Sequence, residues 1–284
     1  RPNVGKSTLT NALVGEKIAI VTNKPQTTRN RICAVVNREG CQFVFLDTPG
    51  LHKARTRLGD YMVKVVKESV ADVDAVLLLV EPIPHIGGPE AELIRRIKEL
   101  NVPAVLVINK IDTVEKEELL SVMQVYGAAH DFAAIVPISA KRNEGVDELL
   151  GLLAQFLPEG PQLFPEDMVT DQPERQVCAE IIREKLLLCL DKEIPHGTAV
   201  EITTFSERDD GIIDLDATIY CEKASHKGII IGKGGAMLKK ISTLARTDIE
   251  AFMGTKVFLQ TWVKVKENWR DNMNLIKNFG YRDE

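Results

Sequence analysis

The sequence predicts two domains: an α/β domain with a mainly parallel sheet, followed by a smaller α+β domain. Residues 5–157 alternate short apolar runs with longer amphipathic stretches, as β-α units do. Residues 158–173 contain four prolines and little periodicity, which indicates an interdomain linker. Residues 174–284 then show the order helix, two strands, helix, glycine-rich loop, helix and strand. The chain has 284 residues, 44% of them hydrophobic, which is enough to bury a core in each domain.

Periodicity and turn residues place the elements of the first domain. A helix is predicted directly after Gly5, ending near Val14. Apolar runs at residues 32–37 and 42–46 predict neighbouring strands joined by a hairpin turn at residues 38–40. Further strands are predicted at residues 75–80, 104–109 and 134–138, and helices near 57–70, 89–100, 115–127 and 145–157.

The second domain is predicted in the same way. It has a helix near residues 174–191, strands near 198–205 and 213–222, a short helix, a helix near 236–252, a strand near 256–266 and a terminal helix. The spacing of Trp262, Trp269 and Phe279 suits burial of the last strand and helix, so we expect these three aromatic side chains in the core.

Composition excludes several classes of protein. The five cysteines include no C-x-x-C pair, so the sequence indicates neither a disulfide framework nor a zinc site. The longest apolar runs fall far short of the roughly 18 residues that suggest a membrane span. The net charge of −5 argues against a nucleic-acid partner for the chain as a whole. However, residues 223–247 contain six Lys or Arg and no Asp or Glu, so a local basic patch is expected.

The first motif predicts a phosphate loop. Backbone N–H groups that open a helix bind polyphosphate together with the helix dipole, Lys6 adds a charge at the β and γ phosphates, and Ser7 offers a hydroxyl to Mg²⁺. The motif is Asn3-Val4-Gly5-Lys6-Ser7-Thr8. Taken alone, Gly-Lys-Ser also fits an ordinary helix start. Arg1 begins inside this pattern, so we expect a fragment that lacks the first strand of the sheet.

The second motif, Asp47-Thr48-Pro49-Gly50, follows the strand predicted at 42–46. There a carboxylate can hold Mg²⁺ through water, and the Gly50 N–H can reach the γ phosphate. A simple turn is the alternative. Leu51 stands where Ras-like enzymes carry a glutamine that orients the attacking water, so slow intrinsic hydrolysis is expected. His52 is a candidate base, although a solvent-facing loop histidine is the preferred interpretation.

Two further motifs identify the base. In Asn109-Lys110-Ile111-Asp112, Asp112 can accept hydrogen bonds from guanine N1–H and N2–H₂, which adenine lacks. Ser139-Ala140-Lys141 then places the Ala140 N–H near guanine O6. Each motif follows a predicted strand, where α/β sheets bind ligands. Together, the four motifs predict a GTP site.

The fifth motif lies in the second domain, in the loop Gly232-Lys233-Gly234-Gly235 between two helices. Such glycines let backbone N–H groups clamp nucleotide phosphates, and the order of elements around them is that of a type II KH domain. The residues predicted to bind RNA are Lys227, Gly232, Lys233, Gly234, Gly235, Lys239 and Lys240. A glycine-rich structural turn, with Lys239 and Lys240 on a solvated helix face, is the alternative.

With these motifs the chain resembles the Era family, bacterial GTPases of small-subunit ribosome assembly, over residues 3–281. The resemblance implies a P-loop GTPase domain at 1–157, a linker at 158–173 and a KH domain at 174–284. It also implies that residues 26–29 lie in the first switch segment, with Thr28 on Mg²⁺. The resemblance assigns the catalytic role to Lys6, Thr28 and Gly50.

The same resemblance implies partners and location. Asn3 matches a position that holds a monovalent cation in related potassium-dependent GTPases. The RNA target is single-stranded 16S ribosomal RNA near its 3′ end, in the 30S subunit. We expect a cytoplasmic monomer, and residues 264–277 weakly indicate peripheral contact with the inner face of the membrane.

Two other functions fit parts of the sequence. One is an RNA-binding protein whose nucleotide domain is structural or inactive. The other is a related GTPase of tRNA modification or large-subunit assembly, against which the single nucleotide domain and the intact Gly-x-x-Gly loop argue.

Overall fold

The computed structural model describes residues 3–38, 40–50, 56–69 and 73–281. They form two compact units, and each is described by itself. The first contains the described residues of 1–18, 31–52 and 63–171, and the second those of 19–30, 53–62 and 172–284. None of the described helices has the length and the apolar composition needed to cross a membrane.

The first unit has the predicted alternation of helices and strands. Its elements, together with the helix α2 that spans the boundary between the units, are α1 Lys6–Val14, β1 Ile32–Arg38, β2 Cys41–Asp47, α2 Arg57–Ser69, β3 Val76–Val80, α3 Gly88–Leu100, β4 Ala104–Ile108, α4 Lys116–Ala129, β5 Ala134–Pro137 and α5 Val146–Leu153. The strands β3, β4 and β5 are parallel with β4 in the centre, and β1 and β2 form an antiparallel pair.

The central strand β4 is the core of this unit. Its side chains from Val105 to Ile108 are fully buried, as in parallel sheets covered on both faces. On one side Val105 and Val107 pack with α1 and α5, and on the other Leu106 and Ile108 pack with α3 and α4. The carboxyl ends of β3, β4 and β5 therefore lie at one edge of a rigid sheet, where ligands bind in such folds.

The proline-containing segment predicted as a linker lies along the β1–β2 pair. The Val35 N–H donates to the Val169 carbonyl at 2.9 Å, and the Thr170 hydroxyl donates to the Cys33 carbonyl at 2.7 Å. Gln42 accepts hydrogen bonds from the backbone of Leu163 and Phe164. Residues up to 171 thus belong to the first unit. The domain limits at 157 and 174 stay predictions.

The second unit has the predicted order of a type II KH domain. Its elements are α6 Glu174–Cys189, β6 Ala199–Glu207, β7 Ile213–Cys221, α7 Ala224–Ile231, α8 Ala236–Met253, β8 Val257–Val265 and α9 Met273–Asn278. The sheet order is β6-β7-β8, with β6 antiparallel and β8 parallel to β7. The helices α6 and α8 contribute Leu186 and Ile241 to the core on one face of this sheet.

The expectation of three buried aromatic residues is wrong for one of them. Trp269 and Phe279 are buried, and the Trp269 indole N–H donates to the Gly197 carbonyl at 2.9 Å. The side chain of Trp262 is 58% exposed. Successive side chains of a strand point to opposite faces, and in β8 the buried positions are Val257 and Val263. Trp262 therefore faces away from the helices.

An N-terminal segment, residues 19–30, is part of the second unit. Its Arg29 guanidinium is buried and donates to the carbonyls of Thr198 and His196, at 2.8 and 2.9 Å, and to the Tyr281 hydroxyl at 3.0 Å. It also lies 5.7 Å from the ring centroids of Trp269 and Tyr281. Burial lowers the pKa of Arg29, but an arginine stays charged in proteins. Its planar donors therefore hold the segment in place.

Replacing Arg29 by lysine tests this anchor. A single ammonium group cannot reach three separate acceptors, so Arg29→Lys should lower the free energy of unfolding by about 2–3 kcal/mol. Urea unfolding followed by tryptophan fluorescence measures this, since both tryptophans lie in the second unit. Arg175→Lys, at an exposed position of α6, is the matched control. An equal effect of the two substitutions would contradict the anchoring role.

Candidate functional site

The predicted phosphate loop precedes α1 and depends on a glycine. Gly5 has a φ of 98°, and a Cβ at this position would lie 2.2 Å from the Asn109 amide nitrogen. Any other residue would therefore meet both backbone strain and a clash. Asn3 also has a positive φ, 63°, and Val4 is buried beside it. The chain thus turns sharply into the first helix, and the N-terminus of a helix favours the binding of an anion.

Asn109 connects this loop to the base-reading motifs. The Asn109 amide group donates to the Val4 carbonyl at 2.8 Å and accepts from the Ala140 N–H at 3.0 Å. The side chain is buried, so both bonds are shielded from water. Three motifs that are far apart in the sequence therefore meet at one amide group.

Lys110 adds a second connection. Its ammonium group donates to the Asn3 carbonyl at 2.7 Å and to the Glu81 carboxylate at 2.6 Å. Glu81 directly follows β3. None of the sequence motifs includes Glu81, although its position at the carboxyl end of a parallel strand is a usable signal.

The predicted guanine reader, Asp112, is oriented by Ser139. The buried Ser139 hydroxyl donates to Asp112 Oδ1 at 2.7 Å, and Arg142 Nε lies 3.7 Å from Oδ2. The Ser139 hydrogen bond lowers the pKa of Asp112, with smaller help from the charges of Arg142 and Lys141. The carboxylate is therefore ionised at neutral pH and able to accept hydrogen bonds. Arg142 lies directly after the Ser139-Ala140-Lys141 motif and is not part of it.

The Ala140 N–H is already engaged. It donates to Asn109, whereas the sequence predicted that it meets guanine O6. The bond to Asn109 would have to be shared or exchanged when a base binds. The role of Ala140 at O6 stays a prediction with that added condition.

Ser7 and Asp47 form the part of the site that suits a metal ion. The Ser7 hydroxyl donates to Asp47 Oδ2 at 2.7 Å, while Asp47 Oδ1 is buried and has no hydrogen-bond partner among the described residues. Burial raises the pKa of Asp47, and the charge of Lys6, the Ser7 hydrogen bond and a weaker contact with the Thr48 backbone N–H oppose that rise. An unsatisfied buried carboxylate oxygen beside a hydroxyl fits Mg²⁺, which prefers oxygen ligands.

The other predicted metal ligand, Thr28, is buried in the second unit, whereas Ser7 and Asp47 belong to the first. Its role on Mg²⁺ stays a prediction. Among the described residues no three His, Cys, Asp or Glu side chains could hold a metal ion together. A magnesium ion at Ser7 and Asp47 would thus take its remaining ligands from phosphate and water.

The remaining predicted residues divide into two groups. Thr48, Pro49 and Gly50 directly follow β2, and Thr8 lies in the first turn of α1. Leu51 and His52 lie outside the described residues, as does Arg1.

The predicted RNA loop joins α7 to α8 and has the expected geometry. Gly232 has a φ of 74°, and a Cβ there would lie 2.7 Å from the Met237 Cβ atom. Gly234 and Gly235 also have positive φ, but a Cβ on either would meet nothing within 4 Å. The outer side of the loop is therefore open to a ligand, and only Gly232 is required by close packing.

The predicted basic residues surround this loop. Lys233, Lys239 and Lys240 are exposed and Lys227 is partly buried. The apolar residues beside them differ in burial, because Ile230 is fully buried whereas Ile229 is 49% exposed. An exposed isoleucine in the helix that leads into this basic loop suits a groove that binds bases and phosphates.

Family models match both units. A model described as KH domain matches residues 193–270, and a model described as 50S ribosome-binding GTPase matches residues 1–110. Together with the phosphate loop and the base-reading motifs, these matches define a P-loop GTPase domain joined to a KH domain.

Curated relatives identify the family. GTPase Era of Ruminiclostridium cellulolyticum is 53% identical over 99% of this chain and 95% of its own length. GTPase Era of Clostridium kluyveri is 51% identical over 99% of this chain and 96% of its own length. The chain belongs to the GTPase Era family and is a GTPase. The two alternative functions are therefore not favoured.

Two solved structures match over the whole chain. One is an Aquifex aeolicus Era variant bound to GDP and AlF₄⁻, with a TM-score of 0.95 and 38% identity, covering 100% of this chain and 97% of that one. The other is Era bound to MgGDPNP and nucleotides 1506–1542 of 16S ribosomal RNA, with the same TM-score of 0.95 and 38% identity, covering 100% and 96%. That relative binds its nucleotide with magnesium.

Because the Asp47 carboxylate is buried, removing its charge is expected to stabilise the protein. A carboxyl group whose pKa folding raises destabilises the folded state once it is ionised, so stability falls as the pH rises through that pKa. Asp47→Asn should therefore raise the free energy of unfolding of the magnesium-free, nucleotide-free protein at neutral pH, by about 1–3 kcal/mol. It should also slow GTP hydrolysis by about 100-fold or more, because a magnesium ligand is lost.

Urea unfolding followed by circular dichroism, at neutral pH and near pH 5, measures the effect on stability. The exposed Asp131→Asn is the control and should change neither stability nor hydrolysis. A loss of stability in Asp47→Asn would show that the carboxylate is satisfied in the ligand-free protein and would contradict this account of the site.

Proposed function

We propose that this GTPase uses GTP binding and hydrolysis to control the binding of its KH domain to 16S ribosomal RNA near the 3′ end, and thereby assists assembly of the 30S subunit. The single observation that carries the nucleotide part is the convergence of the phosphate loop and the two base-reading motifs on the Asn109 amide group. The RNA part is supported by the open Gly-x-x-Gly loop and by the relative bound to 16S ribosomal RNA.

Guanine recognition follows from the charge of Asp112. An ionised carboxylate accepts but does not donate, so it pairs with the N1–H and N2–H₂ of guanine and finds no such donors on adenine. The Ser139 hydroxyl donates to Asp112 Oδ1 and fixes the orientation of the carboxylate. An adenine base that covers this partly exposed acceptor leaves it without donors, which costs kilocalories per mole, and this cost rejects ATP.

The phosphates are bound by residues 3–8. Backbone N–H groups at the start of α1 meet the phosphate oxygens, and Lys6 supplies a positive charge at the β and γ positions. Ser7 and Asp47 are the residues that would hold Mg²⁺, which neutralises charge on these oxygens. The Gly50 N–H, which follows Thr48 and Pro49, is proposed to meet the γ phosphate.

The residue after Gly50 cannot orient the attacking water, because Leu51 has no hydrogen-bonding group. Water attacks the γ phosphate in line, and Lys6, switch backbone groups and Thr28 stabilise the charge that develops. Intrinsic turnover is therefore slow. GTP and GDP can alter RNA binding only if they make different contacts with the switch segments.

Several finer points belong to the same proposal. Asn3 is exposed at the phosphate loop and is proposed to hold a potassium ion there. Equal turnover in potassium and in sodium would remove that ion from the mechanism. We further infer that the protein acts as a monomer in the cytoplasm. A peripheral contact of residues 264–277 with the inner face of the membrane stays a prediction.

Changing Asp112 tests base recognition directly. In Asp112→Asn one acceptor becomes a donor, which meets the N2–H₂ group of guanine unfavourably but suits the carbonyl of xanthine at the same position. GTP affinity should fall by at least about 100-fold and affinity for XTP should rise. Calorimetric titration with GTP, XTP and ATP measures this, with the exposed Glu115→Gln as control. Unchanged GTP affinity, or a preference of the wild type for ATP, would refute the proposal.

Lys233 tests the RNA part. The residue is exposed inside the Gly-x-x-Gly loop, so Lys233→Glu should weaken binding of the 16S 3′-end RNA by about tenfold or more at low salt. It should also make the dependence of log K on log salt less steep by about 0.7 per lost phosphate contact. Fluorescence anisotropy across a salt series gives both values. The control is Lys116→Glu, at an exposed position of α4. If affinity and salt slope match the wild type, the loop does not clamp phosphates.

A further inference from the structure

The outward face of the edge strand β8 has an unusual composition. Its alternate residues form a row that we call the outer row: Lys256, Phe258, Gln260, Trp262, Lys264 and Lys266. All six are exposed, and they contain three lysines, two aromatic residues and no Asp or Glu. The opposite positions, such as Val257 and Val263, are buried under the helices. The outer row is therefore a positively charged surface interleaved with aromatic rings, a pattern typical of single-strand binding.

The two aromatic side chains are costly to leave in water. Phe258 is 49% and Trp262 is 58% exposed, and the described residues include no other aromatic side chain that is as exposed. Burying an aromatic side chain is favourable, so such exposure of two rings on one strand face indicates a binding surface. The two residues are four apart in the strand, or about 13 Å. This exceeds the ~3.4 Å between stacked bases, so each ring suits a separate, unstacked base.

The acidic residue next to Phe258 is neutralised. In the pairing of β7 with β8, Asp214 lies beside Phe258. Its carboxylate is bound by Arg208, with Nε to Oδ2 at 2.7 Å, and the Arg208 guanidinium lies 5.3 Å from the centroid of the Phe258 ring. The next acidic residue, Asp216, is partly buried beside Gln260. Lys256 lies 3.5 Å from the Glu250 carboxylate, and Glu201 of β6, on the same face, accepts a hydrogen bond from the Tyr220 hydroxyl at 2.8 Å. The positive charge offered to a phosphate at this face is thus mainly that of Lys264 and Lys266.

The outer row is close to the Gly-x-x-Gly loop. The helix α8 begins directly after Gly235, and its Ser242 hydroxyl is 2.8 Å from the Thr261 hydroxyl of β8. Seven helical residues separate Gly235 from Ser242, which is about 10 Å. Because β8 is an edge strand, nothing in the sheet lies beyond it. A strand of RNA that is held at the loop can cross this edge onto the outer row.

We propose that the outer row is a second RNA-binding surface, on which Phe258 and Trp262 stack two bases of the single strand that continues from the Gly-x-x-Gly loop. Lys256, Lys264 and Lys266 contact its phosphates, and Gln260 lies between the two bases. This inference rests on the proposed RNA-binding function. It assigns binding to a face of the sheet that the phosphate clamp does not include.

The experiment compares RNAs of two lengths. A four-nucleotide RNA fills only the Gly-x-x-Gly clamp, whereas an RNA of about twelve nucleotides reaches the outer row as well. Trp262→Leu and Phe258→Leu should each weaken binding of the longer RNA by about tenfold and leave that of the shorter RNA unchanged. Trp262→Phe keeps a ring and should stay within about threefold of the wild type. Leu188→Ala, 51% exposed on α6, is the control for loss of apolar surface.

Fluorescence gives an independent readout. The chain has two tryptophans, and Trp269 is fully buried while Trp262 is exposed. The longer RNA should quench the emission of the wild type by stacking on Trp262. In Trp262→Leu the remaining emission of Trp269 confirms folding and should not respond to RNA.

The outcomes separate this inference from the function on which it rests. If Lys233→Glu weakens binding but both leucine variants bind the longer RNA like the wild type, with no quenching, the outer row does not bind RNA and the clamp remains. If the wild type binds neither RNA, the proposed RNA function fails and the outer row fails with it. Equal losses for the two lengths would also contradict the inference, since they would place Trp262 within the clamp.

Discussion

The site depends on one buried amide group, that of Asn109. Its donor binds the phosphate loop at Val4 and its acceptor binds the base-reading loop at Ala140. The amide can lie there only because residue 5 has no Cβ, which would otherwise be 2.2 Å from the Asn109 nitrogen. Buried hydrogen bonds in a low dielectric are costly to leave unmade. The glycine, the amide and the two loops therefore form one arrangement, and phosphate binding and base binding are structurally linked.

Burying the carboxyl group of Asp47 in the same site lowers the stability of the ligand-free protein. Asp47 keeps one carboxylate oxygen buried without a partner in the part of the chain that the structure describes, and burial raises the pKa of this carboxyl group. A protein selected for stability alone would satisfy that oxygen or replace the charge. In contrast, hydrogen bonding keeps Asp112 ionised. The pKa values of two carboxyl groups in one unit are thus shifted in opposite directions, and one group is suited to a cation while the other is suited to the donors of a base.

Much of the fold and site could be predicted from the sequence, because local patterns determine it. The run of buried residues in β4 and the glycines of both loops carry their own signals. What was missed depends on tertiary neighbours. Glu81 pairs with Lys110 only because β3 and β4 are adjacent. In β8, valine and aromatic residues suit a strand equally, so composition could not decide which face the helices cover, and Trp262 was assigned to the wrong one. The burial of Arg29 arises from contacts with residues about 170 to 250 positions away.

Amide hydrogen exchange tests the linkage through Asn109 most directly. In Asn109→Ala the phosphate loop loses a donor and Ala140 loses its acceptor at the same time. Exchange should therefore accelerate together in residues 3–7 and at residues 139–141 of the nucleotide-free protein, while α4 keeps the exchange rates of the wild type. If exchange rises in only one of the two loops, or in neither, the phosphate and base sites are independent and the central claim is wrong.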